Sequence, residues 1–131
     1  MINDHLSDMF VRIKNASAVG KKTVSVPHTK LCEAVANVMR EEKYLKALAV
    51  EGDTAPSRCL KLTLAYHGTT PALTALRRIS KPGVRIHRSV TAFKPILSGL
   101  GISILSTSAG VMSDRTAKRS NLGGEVLAEL W

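Results

Sequence analysis

The sequence predicts an α+β fold made of two small α/β subdomains. Amphipathic helical patterns occupy much of the first half of the 131 residues, whereas strand patterns and Gly- or Pro-containing turns dominate the second half. A hydrophobic content of 44% is enough for a core in each half. We expect an N-terminal α-β-α-β-β subdomain over residues 1–68 and a strand-rich C-terminal subdomain with one short helix over residues 69–131.

The first helix is expected to begin after Asn3 or Asp4, because either side chain can cap a helix N-terminus. Apolar residues at helical spacing predict its inner face, namely Leu6, Met9, Phe10 and Ile13. The β-branched residues of 23–26 then predict a strand that Pro27 ends.

Thr29 is predicted to cap the second helix, which has the clearest amphipathic pattern in the sequence. Its expected inner face comprises Leu31, Ala34, Val35, Val38 and Met39. Residues 44–51 and 59–66 then resemble two antiparallel strands across a turn at 52–57.

In the second half, strands over 76–80 and 84–88 are predicted to form a hairpin around Lys81-Pro82-Gly83, because Pro followed by Gly suits a type II turn. Residues 95–101 predict a short helical turn and a loop. A strand should begin at Ile102, Ser113-Asp114 should cap a short helix, and residues 125–131 should form the last strand.

The charge balance points to a polyanionic partner. Lys and Arg number 19 against 10 Asp and Glu, which gives a net charge of +9. Nucleic acid is favoured over a membrane, because no apolar run approaches the roughly 20 residues of a spanning helix. The polar first residues also lack the pattern of an export leader, so we expect a cytosolic protein. With aromatic residues at only 4%, we expect recognition of a folded shape rather than extensive base stacking.

The sequence argues against an enzyme or a metalloprotein. It has no Gly-x-Ser-x-Gly elbow, and the GxG at residues 99–101 lacks the third glycine of a dinucleotide loop. The four histidines share no metal-ligand spacing, and Cys32 and Cys59 are expected to be reduced, partly buried thiols. We therefore expect no catalytic residue, cofactor, metal or small-molecule substrate.

Cations crowd the predicted hairpin, where the members are Arg77, Arg78, Lys81, Arg85 and Arg88. An ordinary solvated face is one interpretation. Phosphate binding is the favoured one, because the charges have nearly one sign and the whole chain is basic.

The stretch Ser106-Thr107-Ser108 follows the apolar residues 102–105 and allows three interpretations. The hydroxyls could cap a turn, act as a nucleophile, or hydrogen-bond to RNA bases and ribose 2′-hydroxyls. Alternation along the strand places Ser106 on the face of Ile102 and Ile104. Residue chemistry leaves turn capping and RNA recognition open, and the basic helix that follows favours RNA.

Four separated motifs resemble one family: DMFVRIKNA at 8–16, RISKPGVRI at 78–86, ILSTSAGVMSDR at 104–115 and GGEVL at 123–127. Pro27 with residues 29–31 also matches. They are similar to the bacterial-type ribosomal protein eight of the small subunit, over essentially the whole chain. The resemblance implies a structural, primary rRNA-binding protein that helps assemble the central domain of 16S rRNA in the 30S subunit, beside neighbouring ribosomal proteins.

The resemblance also implies site residues. It implies that Ser106, Thr107, Ser108 and Glu125 contact a distorted internal loop of an RNA helix. The first helix and the start of the second helix also approach RNA in the family, which adds Arg12, Lys14, Asn15 and Lys30. The hairpin and the short helix add Lys81, Arg85, His87 and Arg115. The expected location is a ribosome, in the cytoplasm or in an organelle.

Three positions depart from the family pattern. Ala109 stands where the family usually has Lys or Arg, so one phosphate contact is in question. His87 replaces a usual Tyr, and His5 replaces a common Pro. The alternatives are a general basic nucleic-acid binder, a protein-interaction module that docks through residues 126–131, and a serine hydrolase.

Overall fold

The two long helices begin at capping side chains, as the sequence predicts. The computed structural model describes residues 4–54, 57–81, 83–89 and 101–131. Helix α1 spans His5–Ala18 and helix α2 spans Lys30–Glu41. The Asp4 carboxylate and the Thr29 hydroxyl each accept a backbone N–H from three residues further on, at 3.2 and 3.0 Å. Asn3 lies outside the described residues.

The helices of the first unit pack against an antiparallel sheet. Strands β1 (Thr23–Pro27), β2 (Leu45–Glu51) and β3 (Cys59–Leu64) lie in the order β1-β3-β2. The core between helices and sheet is apolar, and its largest fully buried members include Leu6, Met9, Ile13, Met39, Leu60 and Leu62. Cys32 is buried and Cys59 half-buried, and both thiols are free.

The predicted inner face of α2 is wrong at one position. Leu31 is 41% exposed, whereas Cys32 and Ala36 are buried. The buried arc centres on Cys32, Val35 and Met39, so Leu31, in the first turn, lies at the margin of that arc.

The structure divides into two compact units, Met1–Leu73 and Thr74–Trp131. The predicted boundary between residues 68 and 69 falls in a hairpin of the first unit, formed by β4 (Tyr66–His67) and β5 (Thr70–Pro71). Its two-residue loop has Gly68 at φ +66°, a conformation that glycine adopts at little cost.

Strand β10 (Gly124–Leu130) is central to the second unit's sheet. Strand β8 (Ile102–Thr107) pairs with one edge of β10 and continues through a turn into β9 (Gly110–Ser113). Strands β6 (Leu76–Arg78) and β7 (His87–Arg88) pair with the other edge. Residues 126–130 are buried and Trp131 is half-buried, which argues against the docking surface that one alternative requires.

The predicted hairpin over 76–88 is wrong, because β6 and β7 lie end to end along β10. Leu76–Arg78 oppose residues 128–130, and His87–Arg88 oppose residues 124–125. Backbone hydrogen bonds of Ile79, Ser80 and Ile86 to β10 fill the gap. Because β10 is buried, its backbone N–H and C=O groups need hydrogen-bond partners along its whole length. A strand that continues from β6 to β7 provides them, whereas a separate hairpin would not. Lys81 and residues 83–85 therefore loop out.

Helix α3 (Asp114–Arg119) covers one face of this sheet and is capped by Ser113, as predicted. Ala117 packs against Leu105 and Val126. Together these elements confirm the α+β class. The helical turn predicted within 95–101 lies, apart from Gly101, outside the described residues. None of the described helices has both the length and the apolar character needed to cross a membrane.

Candidate nucleic-acid interface

Three of the predicted site residues form one row across the second unit's sheet. Ser106 on β8 is directly opposite Glu125 on β10, and Glu125 is directly opposite His87 on β7. Directly opposed residues of antiparallel strands have their side chains on the same face. Leu105 and Val126 point the other way, toward α3, so the row lies on the face opposite that helix.

Strand β8 becomes accessible at this row. Residues 102–105 are buried, Ser106 and Thr107 are half-buried, and Ser108 is exposed. The change in sequence character from apolar to hydroxyl residues therefore coincides with the point where the strand leaves the core.

Glu125 is held by an ion pair with Arg85. The Arg85 Nη1 atom lies 3.0 Å from Glu125 Oε2, and the side chains are 57% and 17% exposed, respectively. Because the carboxylate is mostly buried, this contact restricts its rotamer and leaves the other guanidinium nitrogens of Arg85 available at the surface. Arg85 is thus both a support for Glu125 and a surface cation.

Of the three hydroxyl residues Ser106, Thr107 and Ser108, Thr107 caps the turn of the β8–β9 hairpin. Its Oγ1 accepts the Ala109 N–H at 3.1 Å and donates to the Gly110 carbonyl at 2.8 Å. Gly110 has φ +116°, which lies in the region that favours glycine. The turn-capping role that residue chemistry left open therefore belongs to Thr107.

Ser106 and Ser108 flank this capped turn with unused hydroxyls. Within the described part of the chain, neither side chain has a hydrogen-bond partner. A hydroxyl can donate one hydrogen bond and accept two, so both remain able to bind a polar ligand. No described histidine is bonded to either serine, so the geometry does not assemble a serine nucleophile.

Gly124 brings β10 unusually close to β8. A Cβ atom at this position would collide with the Ser106 carbonyl oxygen and contact the Thr107 side chain. Any other residue would push the strands apart at the row. Sequence reasoning treated residues 123–124 only as a turn and a family motif, and spacing alone carries no signal of this contact.

The loop that projects between β6 and β7 is closed at its base by Ser80. This fully buried hydroxyl accepts the Ile86 N–H at 2.8 Å and donates to the Ile86 carbonyl at 3.2 Å. At the tip, Lys81 and Val84 exchange two backbone hydrogen bonds of 2.9 Å, and Gly83 has φ +85°, as a type II turn requires. Lys81 and Arg85 are exposed on this loop. Pro82 lies outside the described residues.

The remaining cations of the predicted cluster are partly committed to the fold. Arg77 Nη2 lies 2.9 Å from Oε2 of Glu129, a carboxylate only 7% exposed. Arg78 donates from Nε to the Ser80 carbonyl. Arg77 therefore neutralises a buried charge, and the positive charge available at this edge is smaller than the sequence count suggests.

Arg115 is exposed in the first turn of α3, next to Asp114. Burial raises the pKa of the Asp114 carboxyl above its usual 3.8, although backbone N–H groups of Ser103 and Arg115 and the Arg115 charge oppose that shift. Burial thus disfavours the charged form of the Asp114 carboxyl at the helix start, beside the exposed cation.

Four predicted RNA-binding residues belong to the first unit. Arg12 on α1 is 3.2 Å from Asp8 and donates to the Ser25 carbonyl at 3.0 Å, so it also ties α1 to β1. Lys14, Asn15 and Lys30 are exposed. The structure therefore gathers Ser106, Glu125, His87 and Arg85 into one site of the second unit, whereas Arg12, Lys14, Asn15 and Lys30 belong to the first unit.

A comparison with protein-family models gives a match over almost the whole chain. Residues 4–131 match the family model described as Ribosomal protein S8. The chain belongs to the ribosomal protein S8 family. This confirms the resemblance found in the four sequence motifs, and membership of a family of ribosomal proteins agrees with the expectation that the chain is not an enzyme.

Similar curated members of the S8 family match over their full length. Small ribosomal subunit protein uS8 of Trichormus variabilis (strain ATCC 29413 / PCC 7937) is 44% identical over 131 residues, which cover 98% of each chain. The uS8 proteins of Mycoplasmopsis synoviae (strain 53) and Spiroplasma kunkelii are each 40% identical. Their matches cover 99% and 100% of this chain, and 98% and 100% of the relatives.

Proposed function

We propose that this protein is a structural constituent of the small ribosomal subunit that binds the central domain of 16S rRNA directly and promotes its assembly. The β8–β9 hairpin and Glu125 recognise a folded RNA site, and exposed cations bind phosphate. Membership of the S8 family and the similarity to small-subunit uS8 proteins support the ribosomal role.

The main support for this proposal is that the three hydroxyls of Ser106-Thr107-Ser108 have different roles. Thr107 holds the turn, so Ser106 and Ser108 present hydroxyls that have no hydrogen-bond partner among the described residues. Hydroxyls and small side chains suit close contact with base edges and ribose 2′-hydroxyls. Glu125, fixed by Arg85, adds a carboxylate acceptor in the same row.

Exposed cations in each of the two units support phosphate binding. Lys81, Arg85 and Arg115 are exposed in the second unit, and Lys14 and Lys30 in the first. Contacts of such residues with phosphate position a protein on nucleic acid, whereas hydroxyl and carboxylate contacts provide discrimination. Arg12, Asn15 and His87 complete the proposed contact set. The neighbouring partners are other small-subunit ribosomal proteins.

Chemical footprinting of small-subunit rRNA with and without the purified protein tests this function. We expect protection concentrated in a folded site of the central domain. Affinity for the protected fragment should fall with salt at a log-log slope of roughly −4 to −5, if about five phosphates are neutralised. Uniform protection along the RNA, or a slope near zero, would contradict the proposal.

A further inference from the structure

Two adjoining cavities in the first unit form a basic groove that none of the candidate RNA-binding residues lines. Their volumes are about 540 and 400 Å³, and both are lined by Lys46 and Tyr66. We call this feature the Tyr66 groove. Its cations are Lys22, Arg40, Lys43 and Lys46, and no Asp or Glu is among the described residues that line it.

The positive charge of the Tyr66 groove is not neutralised within the described residues. Among the described residues of the first unit, the ion pairs involve Arg12 and His28, and none includes a lysine of the groove. Arg40 contacts a neutral amide, Asn37 Oδ1, at 3.4 Å. Four cations that line a concave surface raise the local positive electrostatic potential, which attracts a polyanion.

The shape of the groove suits a chain rather than an enclosed small molecule. Leu45 and Leu64 are buried and provide an apolar floor, whereas the cationic side chains at the walls are exposed. Small-molecule sites generally enclose most of their ligand, and exposed walls of this kind do not. Gly20 and Gly68 have open space where a side chain would stand, which leaves the groove accessible to a polymer.

The position of the Tyr66 ring in the groove is fixed. Its hydroxyl donates to the Lys21 backbone carbonyl, which joins the β4–β5 hairpin to the basic loop before β1. This contact orients the Tyr66 ring against the backbone that leads into Lys22, so this part of the groove is formed before a ligand binds.

We propose that the Tyr66 groove binds the phosphodiester backbone of RNA without sequence preference, as a second contact surface in the first unit. The inference rests on the proposed function, because rRNA is the polyanion that a ribosomal protein meets. Phosphate contacts of this kind affect all RNA sequences equally, whereas the Ser106–Glu125 row discriminates among them.

The test compares Lys22→Gln/Lys46→Gln with the wild type on two RNAs, a central-domain rRNA fragment and an unrelated hairpin of equal length. We expect the double variant to lower the magnitude of the salt slope by about 2 on both RNAs, since each lost lysine–phosphate contact removes about 1. Lys61→Gln is the matched control. Lys61 is exposed on the neighbouring strand β3 and lines neither cavity, so its slope should be unchanged.

Unchanged slopes for the double variant on both RNAs would overturn the inference. So would retained RNA affinity together with lost binding to poly-glutamate, which would assign the groove to an acidic protein. Failure of the proposed function looks different. The wild type would then bind both RNAs equally, while the groove variant would still lower the slope.

Discussion

Gly124 lies against the backbone carbonyl of Ser106, and no space for a Cβ atom remains between them. This contact sets the approach of β10 to β8 at the point where β8 leaves the core. It places Glu125, the next residue, opposite Ser106 and within reach of Arg85. The glycine thus positions the candidate interface without touching a ligand.

Gly124→Ala should therefore destabilise the protein by about 1–3 kcal/mol, the usual range for an atom forced into a packed site. Urea unfolding measures the loss. RNA affinity should also fall, because the row is displaced. An unfolding free energy equal to that of the wild type would show that the strands separate at no cost.

Thr107→Val should destabilise the hairpin turn, because it removes the hydroxyl that bonds Ala109 and Gly110 while it keeps the side-chain volume. We expect a loss of about 1–2 kcal/mol in unfolding free energy, for two hydrogen bonds of ordinary strength. Thr107→Ser keeps the hydroxyl and is the matched control. Equal unfolding free energies for the two variants would contradict the capping role of the Thr107 hydroxyl.

Ser108→Ala should leave stability unchanged, because this exposed hydroxyl has no partner among the described residues. Specific RNA binding should weaken by roughly 1–3 kcal/mol if a base contact is lost. Filter binding on matched and scrambled RNA separates the two effects. Ser120→Ala, at an exposed serine after α3, is the control, and equal losses on both RNAs would argue against recognition by Ser108.

Ala109→Lys introduces the cation that the family resemblance leads us to expect at this position of the hairpin. Ala109 is exposed in the turn, so the lysine needs no rearrangement of the core. We expect tighter RNA binding and a salt slope steeper by about 1. Titration at several salt concentrations provides the measurement, and an unchanged slope would show that the turn does not face phosphate.

Asp114 makes stability depend on pH. Burial raises the pKa of this carboxyl in the folded state, so the folded protein binds the proton more tightly than the unfolded chain. Relative to Asp114→Asn, the wild type should be most stable below the unfolded-state pKa and should lose that advantage as pH rises through the folded-state pKa. Urea unfolding of both proteins across this range measures the difference, and a parallel pH dependence would contradict it.

Local signals in the sequence determined much of the fold. Asp4, Thr29 and Ser113 cap their helices as predicted, because a cap depends only on a side chain and amides within one turn. The antiparallel pairing of β2 with β3 followed from two strand patterns across a short turn. The sequence also determined the family, since its motifs are specific in both residue type and order.

Only the tertiary structure decided the arrangement around β10. The patterns at 76–88 suggested a hairpin, but the backbone of β10 needs partners along its length, and β6 and β7 together provide them. The row of Ser106, Glu125 and His87 joins three strands distant in sequence, and periodicity within one strand carries no information about such register. The sequence showed only that three hydroxyl residues stand at the end of a strand. The fold assigned the turn cap to Thr107 and left Ser106 and Ser108 without hydrogen-bond partners among the described residues.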